Sequence, residues 1–344
     1  MTTDGLENGQ TLPWEWYASA DVLRREEERI FRRAWHYAGP AEWVSEPGDR
    51  FPCRAGDVSL VVVRDRENGL RAFVNVCRHR GSVIVSERGR RETLQCPYHA
   101  WTYDLDGRLR SAPRSERERS FDPAGLGLVA AGVETWGPFV FVNADVTAAP
   151  LHEALGQVPE LLERGGVDVG ALVFRERCVT TLAANWKVAV ENYLECYHCA
   201  VAHPGFSRLV DVDPDAYVLE AAEGRWSQYG RARDGNGTCQ FHLLWPTLRV
   251  NAYPGLANLS LGSVWPVGPE RTDGFLDYFF GADVSEGSAS ELIVFDDQVG
   301  REDAALVESV QRGVRSGVIE GGRLLLDSEH LIASFQERVR SALS

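Results

Sequence analysis

Four residues narrow the folds open to this chain more than anything else in it. Cys77-Arg78-His79 is followed, sixteen residues later, by Cys96-Pro97-Tyr98-His99. Each arm carries one thiol and one imidazole, so the fold must hold two short loops side by side on a rigid support. A Cys2His2 zinc site usually takes two Cys from one arm and two His from the other. Mixed arms instead suit a two-iron cluster in which both thiolates hold one iron and both imidazoles the other. Neutral imidazoles raise the reduction potential, which makes such a cluster a mild electron carrier.

The surroundings meet that demand. Short β-rich runs, Val58–Val63, Leu70–Val76, Thr93–Cys96 and Phe139–Val142, are separated by turn residues, and Asp106-Gly107 is a hairpin signal. A small all-β domain ending near residues 148–150 is expected. The pattern C-x-H-x16-C-x2-H, set in NVCRHRGS and CPYHAWTYDLDGRL, closely resembles the Rieske [2Fe-2S] domain of Rieske non-haem iron oxygenases. By that resemblance Cys77, His79, Cys96 and His99 are the cluster ligands.

Almost two hundred residues follow. Asn185–Gly205, NWKVAVENYLECYHCAVAHPG, has helical spacing over 185–200, which puts Glu195 and His198 on one face. His203 overshoots the next turn by one residue. Pro204 pushes His203 out of α geometry, so it is expected just past the helix end, folded back; a π-bulge is the other route. Two histidines and a distant carboxylate form the facial triad of non-haem Fe(II), with positions left open for O2 or substrate. The block is similar to the catalytic-iron motif of the same family, which implies His198 and His203 as ligands. The third ligand is sought among Asp296, Asp297 and Asp303 in VFDDQVGREDAALVESVQRG. The family spacing, an acidic residue five before a Glu, favours Asp303 with Glu308 and keeps Asp297 in reserve.

The resemblance carries further expectations. Electrons cross from one subunit's cluster to the neighbour's iron in a head-to-tail homotrimer. Glu195, three residues before the first iron histidine, bridges His198 and His99 of the partner subunit. A Glu here, with ENYLECYHC and ESVQRG, resembles the branch that includes the carnitine, choline and glycine betaine oxygenases. The implied reaction is monooxygenation or N-demethylation of a small quaternary or N-methylated amine with O2. Aromatic-ring hydroxylation, dioxygenation included, is the alternative within the family, and a non-catalytic Rieske electron carrier the alternative of another class. No plant-type cluster spacing or dinucleotide fingerprint is present, since Gly125-Leu126-Gly127 lacks the third glycine. Electrons from NAD(P)H must therefore arrive through a separate flavin/iron-sulfur reductase.

The fold expected is α+β: a helical segment at 1–37 packing with the catalytic domain, the all-β Rieske domain at 38–150, and a helix-grip catalytic domain, an antiparallel sheet with helices, at 151–344. Helices are expected over Asp21–Trp35, Leu151–Leu162, Arg301–Arg315 and Glu329–Leu343, with strands between residues 217 and 282. Charge excludes some partners: 36 Lys+Arg against 50 Asp+Glu leaves −14 over 344 residues, unsuited to nucleic acid or an anionic membrane. The polar start Met1–Gln10, the odd count of seven Cys and the shortness of the longest apolar run point to a cytoplasmic chain without a disulfide framework. Cys196 and Cys199 are read as packing residues, and Cys53, Cys178, Cys239, His36, His152 and His330 as structural. Tyr193, Phe206, Trp226, Tyr229, Phe241, His242, Trp245, Tyr253 and Trp265 are candidates to line a pocket, where aromatic faces would attract a methylammonium group.

Overall fold

The computed structural model describes residues 8–344, so the first seven residues of the polar start lie outside it. It divides into two compact units, one of residues 31–153 and one that joins the chain up to Ile30 with 154–344. Helix α1 (Ala20–Arg29) is capped by Ser19, whose Oγ accepts the Val22 N–H. It is shorter than the periodicity predicts: Phe31–Arg33 is a single 3-10 turn, and a buried strand starts at His36. Pairing of that strand within the inserted unit overrides the helical pattern there.

The inserted unit is built on strands. These are β1 (His36–Pro40), β2 (Asp49–Ala55), β3 (Val58–Arg64), β4 (Leu70–Val74), β5 (Gly89–Arg90), β6 (Leu94–Gln95), β7 (Thr102–Tyr103), β8 (Leu109–Ser111), β9 (Ala130–Trp136) and β10 (Phe139–Asn143). One sheet runs β1-β10-β9-β4-β3-β2-β5, and a second, small one runs β6-β7-β8. Strand alternation explains the continuous apolar run of β3. Leu60 and Val62 face a core with Phe51, Val140 and Val142, while Val61 and Val63 face one containing Cys77, Cys96, Trp101 and Tyr103. The loops that carry the Cys/His arms are thus anchored to the sheet by their cysteines. At the predicted hairpin Gly107 takes φ +87°, and a Cβ there would meet Phe73.

Helices α2 (Leu151–Leu155) and α3 (Val158–Arg164) replace the single helix predicted over 151–162, because Gly156 turns with φ +52° and Pro159 restarts the helix. There follow β11 (Leu172–Leu182), α4 (Trp186–Tyr193), α5 (Cys199–Ala202), α6 (Pro204–Leu209), β12 (Val218–Ala222), β13 (Arg225–Arg231), β14 (Thr238–Leu244), β15 (Leu248–Ala252), β16 (Asn258–Gly268), β17 (Arg271–Gly281), α7 (Glu286–Val314) and α8 (Leu326–Leu343). The antiparallel sheet is ordered β11-β17-β16-β15-β14-β13-β12, a meander from β12 to β17 closed by β11 on its last strand. Helix α7 begins fifteen residues before the predicted Arg301. Gly287 and Gly300 obscure it in the sequence, but Ala289 and Ile293 pack on Leu276, Tyr278 and Phe280 of β17. No helix among the described residues is long and apolar enough to cross a membrane.

Helix α4 is fixed at its start. The Asn185 side chain accepts the Lys187 N–H and donates to Pro269 O, and the Asn185 N–H donates to Gln311 of α7. Trp186, fully buried, packs edge-on to Phe335 of α8. Lys187, the chain's single lysine, is fully buried on Glu26 of α1 at 2.6 Å.

Candidate metal centres

The two Cys/His arms fold alike. The Cys77 N–H donates to Ser82 O and the Cys96 N–H to Trp101 O, while Gly81 and Ala100 donate back to the cysteine carbonyls. The fourth residue after each cysteine has positive φ, +74° at Gly81 and +57° at Ala100. Cys77 and Cys96 are buried; His79 and His99 are exposed, their ring centroids 4.7 Å apart. His79 stacks on Trp101 at 4.9 Å. Tyr103 Oη lies 3.3 Å from Cys77 Sγ and accepts the Arg78 N–H. Burial opposes ionisation of Cys96, but backbone N–H groups of Tyr98 and His99 outweigh it and lower its pKa. Inner sulfurs anchored in the core and outer imidazoles facing solvent fit a cluster with two Cys on one iron and two His on the other. Tyr103 and Trp101 have no signature in the sequence; each is legible only as an aromatic beside the second arm.

In the other unit the helix predicted over 185–200 stops at Tyr193. The chain turns through 194–198 and re-forms a helix at Cys199. Glu195 therefore shares no helix face with His198. It caps a turn, its Oε2 accepting the His198 N–H and its Oε1 contacting His198 Nδ1. The turn also brings Cys196 and Cys199 within 4.9 Å, Cα to Cα, and their sulfurs are bonded. This corrects their reading as packing residues alone, although both do sit in an apolar cluster with Phe206 and Val210.

His203 lies past the end of α5 with φ −119° and ψ 72°, and Pro204 opens α6, as the pre-proline argument requires. No π-bulge is involved. His198 Nε2 and His203 Nε2 are 3.1 Å apart and face Asp303 Oδ1 at 3.4 and 3.0 Å. One donor atom from each of the three residues falls within a 4.8 Å cluster. Asn192 of α4 donates to the same Asp303 oxygen at 2.7 Å. Behind the imidazoles, Glu195 contacts His198 Nδ1 and Glu302 lies 2.8 Å from His203 Nδ1. Burial opposes charge at His198, but Asp303 and Glu195 lift it to about 9; burial opposes charge at Asp303 too, yet the two imidazoles hold it near 2. Two imidazoles and a carboxylate arranged to stabilise added positive charge fit a divalent iron.

Asp297 points elsewhere, paired with Arg301 at 2.8 Å, and Asp296 accepts the hydroxyls of Tyr253 and Tyr278. Glu308 accepts the Ala183 N–H. Glu302 was missed because nothing in the sequence distinguishes it from any acidic neighbour on a helix.

The ring hydroxylating alpha subunit (catalytic domain) family model matches residues 169–344, and the Rieske [2Fe-2S] domain model matches 34–130. The chain belongs to the Rieske oxygenase alpha subunits. It is 36% identical to the carnitine monooxygenase oxygenase subunit of Acinetobacter pittii, over 96% of this chain and 94% of that one. Identity with the chloroplastic choline monooxygenase of Amaranthus tricolor is 31%, over 96% and 77%. The quaternary ammonium Rieske monooxygenase CntA, solved in complex with L-carnitine, superposes with a TM-score of 0.88 at 33% identity, covering 100% of this chain and 99% of that one.

In this Rieske oxygenase the triad borders a cavity of about 260 Å³ between the sheet and α4 and α7. Of the aromatic candidates, Tyr193, Phe206, Phe241 and Tyr253 line it. Trp226 and Trp245 instead pack around Phe335, His242 is buried on Ser227 Oγ, and Tyr229 and Trp265 also lie outside the cavity wall. Tyr217, Phe275, Tyr278 and Cys178, the last read as structural, also line it, with polar Asn192, Gln228, Arg249 and Asn251 and the charged Asp296, Asp297 and Arg301. Register explains the membership: Gln228, Phe241 and Asn251 are cross-strand neighbours, so their side chains emerge on one face.

Proposed function

We propose that the chain is the oxygenase component of a two-centre monooxygenase acting on a small quaternary ammonium compound. In this reading Cys77, His79, Cys96 and His99 hold the [2Fe-2S] cluster, and His198, His203 and Asp303 hold Fe(II). The observation that carries it is the convergence of both Nε2 atoms and Asp303 Oδ1 at the edge of an aromatic-lined cavity. When bound, the iron supplies reductive activation of O2: one oxygen atom enters a C–H bond and the other, with two electrons and two protons, leaves as water.

The chain's own residues do the rest. Glu195 and Glu302 orient the imidazoles through their Nδ1 atoms, and Asn192 holds Asp303. Tyr193, Phe241 and Tyr253 offer ring faces to a methylammonium group. Insertion at an N-methyl carbon gives a carbinolamine that loses formaldehyde, an N-demethylation. The relatives that oxidise carnitine and choline support the substrate class. Glu195, on His198 and only partly exposed, supports the electron bridge to His99 of the partner subunit, and with it a homotrimer. A separate reductase supplies electrons from NAD(P)H, and the reading keeps the enzyme in the cytoplasm with that donor.

Iron content and oxygen uptake test it. The holoenzyme should contain three iron atoms per chain, falling to two in His198→Ala with the cluster spectrum intact, and uptake should be coupled to methylammonium compounds. Two irons in the parent chain would instead describe an electron carrier, coupling only to arenes would describe a ring hydroxylase, and a fully active monomer would remove the bridge.

A further inference from the structure

Arg249 is a guanidinium in the wall of the cavity that no side chain hydrogen-bonds. It stands on β15 with its Nε buried and unpartnered, and among the described residues it makes no hydrogen bond or ion pair. Register explains why. Its cross-strand neighbours are Leu243 on β14 and Gly262 on β16, neither of which offers an acceptor side chain. On the facing helix Asp296 feels its charge, yet both Asp296 oxygens accept from tyrosines, Tyr253 at 2.5 Å and Tyr278 at 2.6 Å. A partly buried cation left this way costs stability unless something that binds there completes it.

Asp303, Glu302 and Glu195 gather around the histidines, and Phe206 and Phe241, ring centroids 5.9 Å apart, line the same cavity. Asp296, where the field of Arg249 is felt, is two helical turns from Asp303 on α7, about 10 Å along the axis. Aromatic rings for an ammonium and a guanidinium that no side chain hydrogen-bonds share one cavity wall, so the cavity offers a partner to each end of a zwitterion. Resting on the quaternary ammonium reading, we infer that Arg249 selects substrates that carry a carboxylate at the end opposite the methylammonium group. Its planar fork matches a carboxylate in bidentate fashion, and the ammonium then lies toward the triad. An alcohol such as choline leaves the guanidinium unpaired.

The test is equilibrium binding and coupled oxygen uptake of the oxidised and reduced holoenzyme with γ-butyrobetaine and with choline. It is run on the parent, Arg249→Gln and Arg249→Lys, with cluster absorbance and thermal midpoint as controls of folding. The parent should prefer γ-butyrobetaine by at least tenfold in Kd and in kcat/KM. Arg249→Gln should lower that preference by tenfold or more, and Arg249→Lys, which keeps the charge but not the fork, should lower it less. Equal parent affinities, or a variant that weakens both compounds alike, would overturn the role of Arg249 while leaving the substrate class standing. Absence of coupled uptake with either compound in an iron-replete parent would overturn the substrate class itself, and this inference with it.

Discussion

Glu302 holds an imidazole from behind. Its Oε2 lies on His203 Nδ1 while His203 Nε2 faces Asp303, so the ring is held at both nitrogens. Carboxylates in this position fix the tautomer and raise ligand basicity, and their loss typically costs 10–100-fold in metal affinity. Glu302→Gln should therefore release its mononuclear iron to a chelator at roughly 10–100-fold lower chelator concentration than the parent, with the cluster spectrum unchanged. A release curve superimposed on the parent's would remove Glu302 from the site. At this scale the histidines were legible because proline chemistry and spacing act locally. Asp303 was legible less securely: Asp296 lies seven residues earlier, on the same helix face, and only its distance along the axis and its two tyrosine partners separate them. Glu302 and Arg249 were not legible, because each matters only through a segment far away in sequence.

The elements show where local patterns gave way. Residues 185–200 are helical in spacing, yet the helix breaks at Tyr193, and that break places Glu195 and the Cys196–Cys199 bond. In the inserted unit the two arms demand the same left-handed residue, met by glycine once and by alanine once. A Cβ at Gly81 would touch nothing within 4 Å, so Gly81→Ala isolates the conformational cost. Left-handed geometry costs about 1–2 kcal/mol, offset by about 0.4–1 kcal/mol of unfolded-state entropy. Gly81→Ala should lose about 1 kcal/mol and Ala100→Gly gain slightly less, read from denaturant midpoints of the cluster-loaded protein. Equal midpoints would mean that these backbones relax. Helix α1 gives a second case. Glu26→Ala strands the Lys187 ammonium in a dry site and should cost about 3–5 kcal/mol, while Glu26→Gln with Lys187→Met should recover much of that loss. Failure of the double variant to recover would show that the pair contributes more than mutual neutralisation.

Over the whole molecule, the β-rich and α+β halves were legible from strand alternation and turn residues. The return of residues 8–30 into the second unit rests on contacts more than a hundred residues apart. Tyr17 donates to Glu191 of α4 at 2.6 Å, and Gln336 of α8 donates to both. Burial raises the Glu191 carboxyl to about 7, only partly countered by those hydrogen bonds. Because its folded pKa lies above the unfolded value near 4.5, this group favours the folded state most below pH 4.5 and loses that advantage as the pH rises through 7. Glu191→Gln should thus lessen the fall in unfolding free energy between pH 5 and pH 8 by about 2–3 kcal/mol, measured by denaturant titration at both values. An unchanged fall would place the titration elsewhere.

The same return sets a timetable for synthesis. Leu12 N–H is bonded to Gln336 Oε1 across 324 residues of chain. At about 5–20 residues per second, the amino-terminal strap leaves the ribosome roughly 15–65 s before its partner exists. The inserted unit, whose strands all lie between residues 36 and 143, is made in full during that wait. The Rieske half can therefore fold while the catalytic half is still missing the helix that closes it.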